Sequence, residues 1–550
     1  MTVSMKKFLA AVLVLTAATS TAQNVMQNSQ IHGDFQTDFQ LYQQDSLIGA
    51  PDVPEKLLSN GYLNLIFSSG NFSAGVRYEN YQNVMQGFDS RYQGSGIPYR
   101  FAEYRHKDFE ITAGNYYEQF GSGLILRSYE ERSLGIDNSL DGIRIKFKPY
   151  NGIYLKGIIG QQRFFFDKGA GIVRGFDAEF NLNEMMPLLT SSKWRYTIGG
   201  SFVSKYQADR DPLFKLPENV GAMSGRGIIA KGNWLFSTEY AYKINDPSAV
   251  NNYIYKPGEA LIASLSYSQK GLGVIVSAKR IDNMNFRSDR TATGNVLSIN
   301  YLPALTKVHA YTLSAFYPYA SQPNGEMAYQ AQINYKIKKD SKLGGHYGTD
   351  VAINYSRATS IDMQQINDTT ALMQRGTLGY KSDFFAFGDE LYFEDFNVEI
   401  SHKFSKKIKG IFTYAYISYN SDVIEGHTDG MFYSHIGIAD LTWKVTPTKA
   451  LRLEMQHLLT AQDEGNWGLA LLEYSIAPKW FFAVGDNYNY GNADSEKRIH
   501  YYNVSFGYNR NSSRVSFSYG KQREGIVCVG GVCRNVPASN GLLVSITSSF

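Results

Sequence analysis

Cysteine is nearly absent: Cys528 and Cys533 are the 2 in 550 residues. That excludes a small disulfide-framed fold, and without a C-x2-C pair a zinc ribbon has no ligands. Proline is scarce at 15, and no Pro-, Ser- or charge-dense linker divides the chain. One domain is therefore expected over residues 23–550. No apolar run approaches the roughly 18 residues that a membrane-spanning helix requires, which excludes helical spans. An excess of one charge sign is missing too. Subtracting Lys6 and Lys7 from the 54 basic residues leaves 52 against 50 acidic ones, so nucleic acid is not an expected partner. The 9 histidines form no H-E-x-x-H or H-x-x-x-H pair, and no G-x-S-x-G occurs. No catalytic, metal-binding or cofactor-binding residues are expected, and the cofactor reading is none. The carboxylates of Asp389–Asp395 lack an EF-hand spacing and read as a solvated loop.

What is abundant is aromatic and small: 40 Tyr, 33 Phe and 50 Gly. Together with low charge, this points to many strands. In Ile31–Tyr42 the odd positions run Ile31, Gly33, Phe35, Thr37, Phe39, Leu41. The even ones run His32, Asp34, Gln36, Asp38, Gln40, Tyr42. A period of two with one apolar and one strongly polar face describes a strand between two different solvents. The pattern returns at Tyr329–Ile337, Phe396–Phe404 and Leu451–Leu459.

Both ends of the chain fit this reading. Lys6-Lys7, the apolar Phe8–Ala18 and the small Ser20-Thr21-Ala22 read as a secretory signal peptide over residues 1–22. At the other end Leu542, Val544, Ile546 and Phe550 share one strand face and the sequence stops on the aromatic. This ending resembles the barrel-assembly signal read by the outer-membrane assembly machinery.

Turn signals divide the chain into strands joined by alternating short and long connections, with exceptions at 183–193 and 338–348. The expected fold is all-β: a large closed antiparallel transmembrane β-barrel of about 22–26 strands, best count about 26, up-and-down, with short periplasmic turns and long extracellular loops. That count includes strands at 297–302 and 310–317. Trp194, Trp234, Trp443, Trp467 and Trp480 fall near strand ends, as in an aromatic belt. Strand side chains cannot fill so wide a lumen. Within "YYEQFGSGLILRSYEERSLGIDNSLD" (Tyr116–Asp141), Phe120, Gly121, Gly123, Arg127, Glu130, Glu131 and Arg132 are the candidate pore-constriction residues. The other reading of this segment is an extracellular loop with an extra hairpin. Only about eight residues between the cleavage site and Ile31 leave no room for the plug domain of a TonB-dependent receptor.

The stretch "REGIVCVGGVCRNVPASNG" near the C-terminus, with "YYEQFGSGLILRSYEERSLGIDNSLDG", resembles an uncharacterised family of large outer-membrane barrels from Bacteroidota. The resemblance implies a barrel and makes a complex-forming role plausible, but it implies no mechanism. Export places Cys528 and Cys533 in an oxidising compartment. A two-residue Gly530-Gly531 turn sets them opposite each other, so a disulfide worth roughly 2 kcal/mol is expected in the last extracellular loop.

The expected protein is non-enzymatic, located in the cell outer membrane, and in contact with outer-membrane lipid. Three classes compete: a channel or porin-like pore, a barrel subunit or scaffold of a larger export, assembly or uptake complex, and an outer-membrane hydrolase.

Overall fold

In a computed structural model the chain is described over residues 29–529 and 532–550; the expected signal peptide at 1–22 and the expected turn at Gly530-Gly531 lie outside the described residues. One 24-stranded antiparallel sheet makes up the wall. Its first eight strands are β1 (Ser29–Gln43), β2 (Leu57–Ser69), β3 (Phe72–Tyr81), β4 (Gly94–His106), β5 (Phe109–Tyr116), β6 (Leu140–Tyr150), β7 (Ile153–Phe164) and β8 (Asp167–Asn181). Next come β9 (Trp194–Tyr206), β10 (Asn219–Lys231), β11 (Trp234–Lys243), β12 (Gly258–Gln269), β13 (Leu272–Asp282), β14 (Gly325–Ile337), β15 (Thr349–Ile361) and β16 (Phe387–Lys403). The circuit finishes with β17 (Ile408–Asn420), β18 (Met431–Lys444), β19 (Lys449–Thr460), β20 (Trp467–Ile476), β21 (Trp480–Asn489), β22 (His500–Arg510), β23 (Ser513–Gln522) and β24 (Ser539–Ser549).

Each strand pairs with its neighbour in sequence. Closure comes from β1 against β24, running from Asp34↔Ser549 to Gln43↔Asn540. The last residue extends this seam, because the Phe550 and Gly33 backbones exchange two hydrogen bonds of 2.9 and 3.0 Å. Sealing the seam leaves no sheet edge, the condition for placing strands in hydrocarbon.

The alternation read from the sequence sorts residues between two environments. Phe202 and Met223, paired across β9 and β10, are 48% and 52% exposed, whereas the adjacent Ser201 and Ser224 are buried. The exposed face carries large apolar side chains around the wall, among them Phe35, Phe176, Val276, Ile333, Phe412 and Val504. A soluble protein does not expose so continuous an apolar band, so this face contacts lipid. Ser545, on the opposite parity, donates to Asp38 at 2.5 Å. That contact sets the outward face of β24 as Leu542, Val544 and Ile546.

The wall has 24 strands rather than the best count of 26. The two surplus segments, 297–302 and 310–317, lie in the connection between β13 and β14, which pair directly from Leu272↔Tyr335 to Asp282↔Gly325. At six to eight residues each, they are shorter than the roughly 9–11 needed to cross a bilayer. Their apolar residues, such as Leu297, Ile299 and Leu313, are buried within the protein instead of facing lipid.

The tryptophans divide in a similar way. Trp194, Trp234, Trp443 and Trp480 are 41–52% exposed and sit at the short-turn end of their strands, as a belt requires. Trp467 is the exception: it starts β20 at the long-loop end, is 1% exposed and packs edge-on against Phe316. Asp389–Asp395 also departs from the sequence reading, because these residues belong to β16 rather than to a loop.

Val504 is 52% exposed on β22, four residues from Tyr508, whose ring packs on the belt residue Trp480 at 4.5 Å. Val504→Arg is expected to cost about 2–4 kcal/mol, whereas Ser505→Arg, facing inward, should cost far less. Urea unfolding in lipid vesicles, followed by heat-modifiable gel migration, measures both; equal costs would contradict the assigned faces.

Candidate functional site

β5 is only 8 residues long, and the chain leaves the wall where Tyr116 pairs with Leu140. The 117–139 loop then turns inward, onto wall residues of lumen parity such as Lys156, Gly175 and Glu239. Lys156 donates to Glu118 at 2.9 Å. Phe120 is fully buried, and its ring occupies the space above Gly175, where a Cβ would come within 2.8 Å of it. The next turn is built around Glu239 of β11, whose carboxylate accepts from the Ser122 amide at 2.6 Å. Gly121 has φ +53°, and a Cβ there would lie 2.4 Å from the Glu239 carboxylate, so a larger residue would be strained and would displace the carboxylate from the Ser122 amide. Leu124, Ile125 and Leu126 then pack on a wall of small and branched residues including Val203, Val220, Ala222, Ala241 and Ala260.

The tip of this loop is fixed by charge. Asp137 binds both Arg77 and Arg163, the latter at 2.6 Å. Glu130 meets Arg77 at 2.9 Å and Arg132 at 2.7 Å. Glu79 completes the cluster, 2.7 Å from Arg77 and 2.6 Å from Arg163. Three arginines thus face three carboxylates, and Arg77, Arg163, Glu79 and Asp137 are all buried. Burial by itself would raise the Asp137 carboxyl, but Arg163 and Arg77 hold it below the usual range. Arg132 reaches across to β1, donating to Gln36 at 3.2 Å, and lies over the Tyr62 ring at 4.6 Å.

A second loop, 283–324, crosses between two sides of the wall. Near its start, Ile299 accepts from the Arg127 amide at 2.8 Å, and Gly123 accepts from the Tyr301 amide at 2.9 Å. The 297–302 segment is therefore not a wall strand: it bonds to the first loop, and Leu297 takes the left-handed conformation at φ +54°. Arg287 is buried and donates to the Val296 carbonyl at 2.6 Å and the Asn285 side chain at 2.9 Å. Burial pushes its guanidinium down to about 10. Further on, alternate side chains reach two wall strands, β16 and then β18. Lys307 pairs with Glu399 at 3.2 Å, His309 with the buried Asp395 at 2.9 Å, and Tyr311 donates to Asp440 at 3.1 Å. Leu313, Tyr317 and Tyr319 pack with Phe393, Ile417, Tyr419, Phe432 and Trp467.

The third inward element is a hairpin of Gly525–Val529 and Val532–Val536 closed by the Cys528–Cys533 disulfide. The Cys533 carbonyl accepts from Asn295 of the second loop at 2.6 Å. Arg523 anchors the base, lying 3.8 Å above the Phe316 ring and 3.2 Å from Glu464.

Of the residues singled out in the sequence, Phe120, Gly121 and Gly123 lie in the wall-packed turn, and Glu130 and Arg132 in the charge cluster. Arg127 is sandwiched between Tyr129 and Tyr301, at 4.7 and 4.0 Å. Glu131 sits apart and caps the short turn 132–134 by accepting from Ser133. A small hairpin, Glu130–Glu131 against Ile136–Asp137, occurs within the same loop. Sequence reasoning missed the second loop and the wall partners Arg77, Glu79, Arg163 and Glu239. No local pattern marks those four, because each sits on an ordinary alternating strand. Among the described residues no cluster of three His, Cys, Asp or Glu side chains could hold a metal ion.

Residues 5–550 match a family described as a family of unknown function, DUF6029. The chain belongs to this family. No curated protein matches the sequence. Among solved structures, the P pilus usher (PapC) translocation pore aligns at TM-score 0.45 and 9% identity, covering 94% of this chain and 99% of that one. The siderophore receptor PirA from Pseudomonas aeruginosa aligns at 0.40 and 10%, covering 95% and 80%. The outer membrane protein opdK, also from Pseudomonas aeruginosa, aligns at 0.36 and 10%, covering 83% and 99%. No cargo or partner follows for this DUF6029 chain from likeness at that level.

Asp137→Asn leaves Arg77 and Arg163 undercompensated and should cost about 3–5 kcal/mol at neutral pH. Because the folded-state pKa is depressed, this contribution is complete above the unfolded value of about 3.9 and fades as pH falls through the folded value. Limited proteolysis of the 117–139 loop at pH 7 and pH 3 should show a large difference between wild type and variant at pH 7 and a smaller one at pH 3. A gap that widens in acid would contradict the clamp.

Proposed function

We propose that this protein is a solute channel of the outer membrane, closed at rest by its own loops and opened when they shift. The observation that carries the reading is the path of the 283–324 loop, which is bonded to the first loop on one side and to β16 and β18 on the other. Phe120, Gly121, Gly123, Arg127, Glu130, Glu131 and Arg132 act in this reading as the constriction. Small wall residues support it as well, because Ala222, Ala241, Ala260 and Gly175 leave room for loop side chains that need no covalent tie to the wall. The barrel acts by passage rather than by bond chemistry. Leu542, Val544, Ile546 and Phe550 serve its insertion by the assembly machinery.

A second reading, a barrel docked in a larger outer-membrane complex, rests on exposed apolar side chains at the long-loop end. Leu213 and Phe385 are both 80% exposed and Leu378 is 57% exposed. They sit on the 207–218 and 362–386 loops, which meet where Arg375 stacks on Phe214 at 5.0 Å.

Planar-bilayer recording tests the channel reading. The intact barrel should show small or rare openings, and replacing residues 120–136 with a short Gly-Ser linker should raise single-channel conductance several-fold. A linker variant that inserts but stays silent would defeat the channel reading. Co-purification of a stoichiometric partner that is lost in a Leu378→Ser, Phe385→Ser double variant would favour the complex instead.

A further inference from the structure

At the long-loop end a cavity of about 580 Å³ lies beside the hairpin, between it and the other two loops. It is lined by Arg91, Arg163 and Arg534 together with the Phe88, Tyr92 and Phe165 rings. The acidic residues in its lining are Asp89 and Asp137. Both are already engaged, Asp89 with Arg91 at 2.6 Å and Asp137 with Arg163 at 2.6 Å.

Arg534 is different. It stacks on Phe88 at 4.2 Å, and among the described residues its buried Nε and Nη1 have no hydrogen-bond partner. Among the described residues no carboxylate pairs with it, and burial pushes its guanidinium below the usual value. Behind the same wall of the cavity Arg287 donates to the carbonyls of Gly294 and Val296, adding a second cation that pairs with no carboxylate among the described residues. An uncompensated, partly buried guanidinium is costly unless an anion completes it. The disulfide places Arg534 directly after a stapled residue, and Asn295 holds the Cys533 carbonyl, so the cation is positioned before any ligand arrives.

The geometry points to this cavity as a binding site for a small organic anion with a flat apolar body, its carboxylate on Arg534 and its flat face among Phe88, Tyr92 and Phe165. The volume suits one drug-sized molecule. A guanidinium already stacked on a ring presents its fork edge to a carboxylate, while the neighbouring rings exclude water from the apolar part. The inference deepens the channel reading by naming a class of solute, yet it concerns binding alone.

Calorimetry on the purified full-length barrel, with 2-naphthoate, 2-naphthamide and inorganic phosphate as probes, tests it. Naphthoate should bind with a Kd on the order of 1 mM or tighter. The uncharged amide and phosphate should each bind at least about tenfold more weakly, since a charged hydrogen bond and the ring contacts are separately lost. Arg534→Gln should weaken naphthoate at least about tenfold while heat-modifiable migration is retained, and Arg534→Lys should recover part of the loss. Absence of naphthoate binding, equal binding of the amide, equal binding of phosphate, or undiminished binding to Arg534→Gln would each overturn the site. The three wild-type arms decide the matter even if a variant misfolds. Naphthoate binding by a barrel that never conducts leaves this site standing and removes only the channel reading.

Discussion

In hydrocarbon a backbone amide or carbonyl has no partner except another backbone group, and the whole structure depends on meeting that demand. The β1–β24 seam meets it by returning the last strand to the first, with the Phe550 and Gly33 backbones adding a final pair of hydrogen bonds. Closing 24 strands fixes more than the wall. It sets a diameter that inward-facing side chains cannot span, so the interior must hold water, loops or a partner.

This chain uses loops, and the wall is matched to them by both size and charge. Where Phe120 and Leu124–Leu126 approach, the wall offers Gly175, Ala222, Ala241 and Ala260. Where polar loop residues approach, it offers a complementary charge: Glu239 for the Ser122 amide, Arg77 and Arg163 for Asp137, Asp395 for His309. Most of the buried ionic groups therefore have partners, which is the condition for keeping them charged out of water. Arg534 departs from that pattern, its buried Nε and Nη1 having no hydrogen-bond partner among the described residues, and a binding site can be inferred from it.

Much of the wall was legible in the sequence because a strand with different solvents on its two faces must alternate, as Ile31–Tyr42 does. The same rule explains the errors. Segments 297–302 and 310–317 carry apolar residues at a strand-like spacing. Leu297, however, takes a left-handed turn conformation at φ +54° and Leu313–Ala315 form a 3-10 turn, and contacts within the protein bury these residues as lipid would. Trp467 looked like a belt residue because strand ends occur at both rims, and only its contact with Phe316 shows that it anchors a loop. Asp389–Asp395 looked like a loop because of its charge; in the barrel Asp395 faces His309, while Glu394 pairs with Arg357 at 3.2 Å.

By itself the sequence determined the fold class, the inward and outward faces of most strands, and the pairing of Cys528 with Cys533. Each follows from periodicity or from a turn a few residues long, and both are properties of near neighbours in the chain. Only the tertiary structure decided that the 117–139, 283–324 and 523–538 loops turn inward, and which wall residues receive them. Those contacts join residues as distant as Asn295 and Cys533. They exist because closure brings strands far apart in sequence around one shared lumen, and no local pattern carries that information.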